Sequence, residues 1–289
     1  MLMYASHNGK IVKKDELRIS PFDHGFMYGL GVFETFRTYD GHPFLLDDHL
    51  HRLENGLKAL NIEWPVRKEA VLREIKNLSD ANGLSDSYIR FNVSAGIGDI
   101  GLQTEPYSRP EIIIFQKELP TGRPLNEKEG KVLKLRRNTP ETDERLKSHH
   151  YFNNVAAKRE LGPDRNLEGI FLTKEGWLAE GITSNLFWVK DARLFTPFLE
   201  TGILNGVTRE FILTLASKLG IEAEEGLFGC EELLHADEVF FTNSIQEIIP
   251  AYKVDGHPFP GKDGQVVKQL YDRYKILSAS LWSRADLLK

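Results

Sequence analysis

Several groupings in this chain have residue types and spacings that could carry chemistry. GIGDIG (96–101) has the letters of a dinucleotide-binding fingerprint and follows a predicted strand. That chemistry needs a helix opening at the last glycine, so that its N-terminus faces the pyrophosphate. The following LQTEPYSRP carries Pro106 and Pro110, which argue against a helix, so the segment reads as a glycine-rich loop. His49 with His51, and the adjacent His149 and His150, suggest metal ligation. Residues one or two apart on a helix do not share a face, and no zinc-type Cys/His spacing accompanies them. They read as surface or satisfied core histidines, and no metal is expected. There is no GxSxG elbow, and the lone Cys230 in GLFGCEELL has no adjacent helper, so nucleophilic serine or cysteine catalysis has no support.

Three quieter features could serve an anion. A predicted helix opens at GVT (206–208), where unpaired N–H groups and a partial positive charge favour a phosphate. TNS (242–244) follows a strand end and could add hydroxyl donors. Arg52 lies beside the apolar stripe of another predicted helix and could reach inward as a bidentate phosphate clamp. Each feature alone is equally an ordinary cap, loop or surface arginine.

The elements that must position these groups alternate between short strands and helices. Asn8-Gly9 and Asp40-Gly41 supply the positive φ angles of tight hairpin turns between apolar runs. Leu46, Leu50, Leu53, Leu57 and Leu60 step by four and three, which predicts a helix over 46–60. A second helix is predicted over 67–80 and strands over 87–96 and 111–119. KELPTGRPLNEKEGK (117–131) is the natural linker, with its prolines, glycines and charges. Beyond it the pattern predicts a strand over 131–137, a helix over 149–161, strands within 169–180, a hairpin over 185–197, a helix over 207–220, a strand over 238–243 and a terminal helix over 264–283. The expectation is an α+β chain of two domains: a smaller one over 1–118, a linker over 119–130 and a larger one over 131–289. A length of 289 residues allows two domains at ~150 residues each, or one large one.

Composition excludes rather than identifies. Thirty-seven Lys and Arg against 42 Asp and Glu give a formal charge of −5, with no long block of one sign, so no nucleic-acid partner is expected. Apolar runs such as EIIIF (111–115) fall far short of the ~20 residues that span a bilayer, so no membrane association is expected either. The N-terminus has no secretory pattern, and one cysteine cannot form an internal disulfide, which points to the cytoplasm.

Taken together, LDDHLHRL (46–53), RLKSHHYFNNVAAKRE (145–160), LAEGITSNLFWV (178–189), ILNGVTR (203–209) and DEVFFTNSIQEIIP (237–250) resemble the fold-type IV pyridoxal-phosphate enzymes. That family comprises the branched-chain and D-amino-acid aminotransferases and the 4-amino-4-deoxychorismate lyases. The blocks fall in family order from PFDHGFMYGLGVFETFR (21–37) to Pro250. The resemblance implies a two-domain α+β fold, pyridoxal 5'-phosphate as cofactor, a small-molecule substrate and a homodimer. It implies that Lys147 holds the cofactor covalently and later moves protons, which requires a neutral amine. It sets Glu180 beside the pyridine nitrogen, where an anion keeps that nitrogen protonated. It assigns the phosphate to Arg52, the Val207 and Thr208 amides and Ser244, so that the three quiet features converge on one dianion. Tyr151 lies near the family's tyrosine that meets the ring hydroxyl.

Within the family, GVFETFRTYDGHPFLLDDHLHRL, SAGIGDIGLQTE and SHHYFNN look most like the lyases, which expel pyruvate from aminodeoxychorismate and leave 4-aminobenzoate. D-amino-acid aminotransferases carry an arginine and a histidine where this chain has Ile100 and Leu102, so that carboxylate trap is missing. Arg37 and Arg90, on predicted inner strands, are the candidates for substrate carboxylates. An aminotransferase acting on branched-chain or D-amino acids is the alternative, and a cofactor-free binding relative is a third reading, opposed by Lys147, Glu180 and Arg52 occurring together.

Overall fold

The protein is described here by a computed structural model covering residues 4–119 and 124–289. Its contacts divide it into two compact units. The first comprises Met1–Gly122 with Leu146–His150 and Ser278–Ser283, and the second comprises Arg123–Arg145, Tyr151–Leu277 and Arg284–Lys289. The division therefore differs from a single cut near residue 131, because two later segments group with the first unit. Residues 120–123 of the predicted linker lie outside the described residues, and its last part, from Lys128, is strand.

The first unit is built on an antiparallel sheet in the order Lys10–Lys13, Tyr4–His7, Glu111–Glu118, Ser87–Ser94, Gly31–Tyr39 and His42–Pro43. Both hairpin turns take the left-handed conformation, with φ of 48° and 78° at Asn8 and Gly9, and 48° and 80° at Asp40 and Gly41. The helices Leu46–Ala59 and Lys68–Asn82 pack on one face. Leu46, Leu50, Leu53 and Leu57 meet Val32, Phe36, Ile89, Phe91 and Val93 in one buried cluster. Each such leucine contributes ~1.5–3 kcal/mol by leaving water. Side chains alternate along a strand, so Val32, Glu34 and Phe36 face the helices, and Gly31, Phe33 and Arg37 face the other way.

Among the elements that went unpredicted, with the strands Ala223–Gly226 and Glu247–Val254 of the second unit, is a short helix in the first. Asp23 accepts from the Gly25 and Phe26 amides and caps the short helix His24–Tyr28, which ends at Gly29 with φ 72°. His24 is fully buried, with Nδ1 bonded to the Tyr107 hydroxyl at 2.7 Å and Nε2 to the Asp99 carbonyl at 2.8 Å. These contacts fasten the 96–102 segment, which is a loop.

The second unit runs as a mixed sheet through Ala223–Gly226, Arg193–Pro197, Asn185–Lys190, Glu238–Asn243, Glu247–Val254, Lys128–Val132, Leu167–Leu172 and Leu178–Gly181. Glu180 also pairs with Asn185, so the path between the strands bearing them closes on itself. Trp188, Leu186, Phe241 and Ile249 fill one core of this unit. The helix Val207–Lys218 buries Val207, Phe211, Ile212 and Leu215.

Three boundaries differ from expectation for tertiary reasons. The strand predicted over 131–137 is Lys128–Val132. Beyond it, the Lys134 and Leu135 amides turn to the Glu160 carboxylate at 2.6 and 3.0 Å, replacing sheet pairing. The helix predicted over 149–161 is Phe152–Leu161, because His149 is held in extended pairing with Gly31. The terminal helix is Gln265–Leu277, and residues Ser278–Ser283 group with the first unit, where the Leu281 carbonyl accepts from the Leu45 amide at 3.1 Å.

Candidate active site

In the first unit the segment around Lys147 adds to the edge of the Gly31–Tyr39 strand. The Phe33 amide donates to the Lys147 carbonyl and the His149 amide to the Gly31 carbonyl, each at 2.9 Å, and Val32 bridges Ser148 antiparallel. Alternation then puts the Lys147 and His149 side chains on the face of Phe33, and Ser148 on the opposite one. Lys147 Nζ lies 4.8 Å from the centre of the Phe33 ring. The Arg90 guanidinium stacks 3.7 Å from that centre, and its Nε donates to Asn92 Oδ1 at 3.0 Å. Arg37 is buried on the same strand as Phe33, over the Tyr39 ring at 4.9 Å.

Across the strand from Phe33, Glu34 is buried and accepts three hydrogen bonds. Arg52 gives it Nε and Nη2, both at 2.7 Å, and His49 Nδ1 lies 2.7 Å away. Burial alone would raise the Glu34 carboxyl, but the charges and hydrogen bonds of Arg52 and His49 prevail and hold it at about 2. Burial pushes His49 down against the pull of Glu34, and Arg52 and Lys147 push the same way. The neutral imidazole therefore donates to a carboxylate. The bidentate edge expected of Arg52 toward phosphate is thus given to Glu34, which fixes the direction of the guanidinium.

In the second unit, Glu180 is buried at the end of its strand. Arg137 Nε donates to its Oε1 at 2.8 Å, Arg145 Nε lies 3.9 Å from the same atom, and the Leu204 amide donates to Oε2 at 3.0 Å. Burial, with Arg137 beside it, pushes the Arg145 guanidinium down to about 10, which still leaves it charged at neutral pH. The helix Val207–Lys218 starts at Gly206 with no side-chain cap, so its first amides are open to an anion. Thr208 and Ser244 bring their hydroxyls to 3.0 Å of each other at that start. Gly206 admits no side chain, since a Cβ there would lie 2.0 Å from Asn185 Oδ1. The buried Thr242 Oγ1 has no hydrogen-bond partner among the described residues.

Each unit therefore gathers its own share of the sequence-predicted residues. The first holds Lys147, Arg52, Arg90 and Arg37, and the second holds Glu180, Val207, Thr208 and Ser244. Tyr151 sits at the start of the Phe152–Leu161 helix and lines a 490 Å³ cavity with Asn154, Lys158, Arg165, Thr183 and Gln246. Sequence reasoning missed Glu34, His49, Arg137 and Arg145. Glu34 had a signal: an acid at an inward position of the apolar run VFETF is out of place unless paired. Arg137 and Arg145 had none, because they reach Glu180 across 43 and 35 residues of chain. Among the described residues no cluster of three or more His, Cys, Asp or Glu could hold a metal ion.

Comparison with known proteins gives a consistent result. The amino-transferase class IV family model matches residues 31–254. Over 271 residues the chain is 49% identical to the aminodeoxychorismate lyase of Bacillus subtilis (strain 168), which spans 93% of this chain and 92% of that protein. A crystal structure of 4-amino-4-deoxychorismate lyase from Pseudomonas aeruginosa is similar at a TM-score of 0.83 and 28% identity, covering 96% of this chain and 100% of that one. The T.th. branched-chain amino acid aminotransferase, complexed with N-(5'-phosphopyridoxyl)-L-glutamate, is similar at a TM-score of 0.85 and 28% identity, covering 98% and 97%.

Proposed function

The chain belongs to the amino-transferase class IV family, and from that premise we propose that it is an aminodeoxychorismate lyase acting in the synthesis of 4-aminobenzoate for folate. The likeness to the Bacillus lyase over nearly the whole chain carries the choice of reaction. Its cofactor is pyridoxal 5'-phosphate, and the residues present fit that group. An uncapped helix start, two convergent hydroxyls and a glycine with no room for a Cβ suit a phosphate. A buried carboxylate anchored by arginine suits the ring nitrogen. When bound, the cofactor supplies an electron sink for the pair released as the substrate loses a proton.

The remaining work falls to this chain's own side chains. Lys147 Nζ would hold the cofactor until the substrate is bound. The freed amine then takes the proton from the ring carbon bearing the nitrogen. The carbon–oxygen bond to the enolpyruvyl group breaks as the ring becomes aromatic, and Nζ returns a proton to the departing methylene carbon, giving pyruvate. Arg52, oriented by Glu34, would serve the phosphate, as would the Thr208–Ser244 pair, and Glu180 would serve the ring nitrogen. Arg90, and with it Arg37, meets a substrate carboxylate. Tyr151 meets the ring hydroxyl.

The enzyme works as a cytoplasmic homodimer in this reading. Support for the compartment is the single cysteine, Cys230, and support for the dimer is a set of exposed apolar side chains on the first unit, including Phe26, Ile97, Ile100 and Leu102. Borohydride reduction followed by peptide mass analysis tests the cofactor assignment, with the cofactor expected on the Lys147 peptide. A kcat/KM for branched-chain or D-amino acids with 2-oxoglutarate above that for aminodeoxychorismate would make the chain an aminotransferase instead.

A further inference from the structure

The buried and half-buried histidines of the first unit, His7, His24, His42, His49 and His149, are not equivalent, and His7 and His42 each bond through Nε2, to Glu111 and to the Leu281 carbonyl. His24 has both ring nitrogens bonded, and His49 has Nδ1 on Glu34. His149 is the exception: its Nε2 is buried and meets no hydrogen-bond partner among the described residues. A buried polar atom left unmet is costly, so a native one calls for a physical reason.

The surroundings of that nitrogen are specific. His149 lies parallel to Phe33, ring centres 6.2 Å apart at 26°, on the face where Arg90 and Lys147 also approach that ring. The sequence reserves Gly31 for it, since a Cβ there would lie 2.5 Å from the imidazole. Burial, then the nearby Arg90 and His150, outweigh Asp23 and push the imidazole down to about 4. At neutral pH it is an uncharged ring held beside a guanidinium and the reactive amine.

We propose that His149 is a specificity-determining residue whose Nε2–H, together with the Arg90 guanidinium, binds a carboxylate of the substrate seated beside Lys147. This rests on Lys147 being the amine at which the reaction occurs. A neutral N–H donor next to a cation adds a directed hydrogen bond to a charge already attracted, and the carboxylate gives the orphaned nitrogen its partner. Ser148, one residue away, points to the other face and cannot share the task.

The test is calorimetric titration of the cofactor-loaded enzyme with 4-aminobenzoate and, as the probe lacking a carboxylate, aniline. Two apolar variants are compared, His149→Phe and His149→Leu, so that one remains if the other does not fold, with His149→Gln as the conservative variant. The expected result is a ~10- to 100-fold loss of affinity for 4-aminobenzoate in the apolar variants, aniline binding unchanged, and most of the loss recovered in His149→Gln. Unchanged 4-aminobenzoate affinity in either apolar variant overturns the proposal, as does an equal loss for both probes, which would mark a packing role. Borohydride trapping on the same proteins separates the two ideas. Absence of the cofactor from Lys147 would overturn the proposed function, whereas its normal presence with no carboxylate discrimination would overturn only the role of His149.

Discussion

Glu34 in the first unit and Glu180 in the second are both buried carboxylates held by arginine, and they do opposite jobs. Glu34 faces one arginine through two parallel hydrogen bonds and adds a neutral histidine. There the carboxylate serves the guanidinium, holding Arg52 in one direction. Glu180 meets two arginines and a backbone amide on different sides. There the cations serve the carboxylate, holding it in place at the end of its strand. A buried ion pair is weak evidence for stability in itself, so what distinguishes the two clusters is which partner is left to act on something else.

That contrast can be broken by mutation. The largest effect is expected from Glu180→Gln, which should lower kcat by ~100- to 1000-fold while cofactor affinity changes little, because the electrostatic stabilisation lost is that of the reacting state. Steady-state kinetics beside equilibrium dialysis of the cofactor would show the split. Glu34→Ala should act the other way. It strands Arg52, costs ~3–5 kcal/mol of stability as a broken buried pair, and raises the cofactor dissociation constant by at least ~10-fold. Arg137→Ala sharpens the comparison: its stability cost should be similar, with its functional loss in kcat rather than in cofactor binding. Smaller still, Thr208→Ala or Ser244→Ala should weaken cofactor binding ~3- to 10-fold each, as the loss of one hydroxyl donor.

The pH dependence of stability carries the last prediction, which concerns stability rather than activity. Glu34 is an acid with a depressed folded value, so its stabilisation is complete above about 4.5 and is lost as pH falls toward about 2. His149 is a base held down from 6.5 to about 4, so the unfolded chain takes the proton first and stability falls over that window too. At ~1.4 kcal/mol per unit the histidine accounts for on the order of 3 kcal/mol at most. Thermal unfolding between pH 6.5 and 4 should therefore show a shallower decline in His149→Phe than in the parent protein. Equal slopes would mean that the imidazole titrates normally.

Local rules read much of this fold from sequence. Both Asx-Gly turns and the leucine stripe of the Leu46–Ala59 helix depend on neighbours within a few residues, and they occur where the spacing put them. What stayed illegible depends on distant partners. The helix after Lys147 starts late because 147–149 is drawn into pairing with residues 31–33, over a hundred positions away. The strand near 131 stops early because Glu160 captures its amides. The same holds for the site. The open helix start at 206–208 was visible in the letters, whereas the Arg137–Glu180 contact was not, because either arginine of KLRR (134–137) looks like any surface cation. Lys147 itself could be singled out only by resemblance, since nothing local separates it from the other lysines.

The most direct test of the account is a multiple-turnover assay of the cofactor-loaded enzyme with aminodeoxychorismate and no oxo acid, following 4-aminobenzoate and pyruvate together. The account predicts equal and sustained formation of both over many turnovers, because the lyase regenerates its Lys147-bound cofactor without an amino acceptor. Production that stops after one turnover per site and resumes on adding 2-oxoglutarate would contradict it.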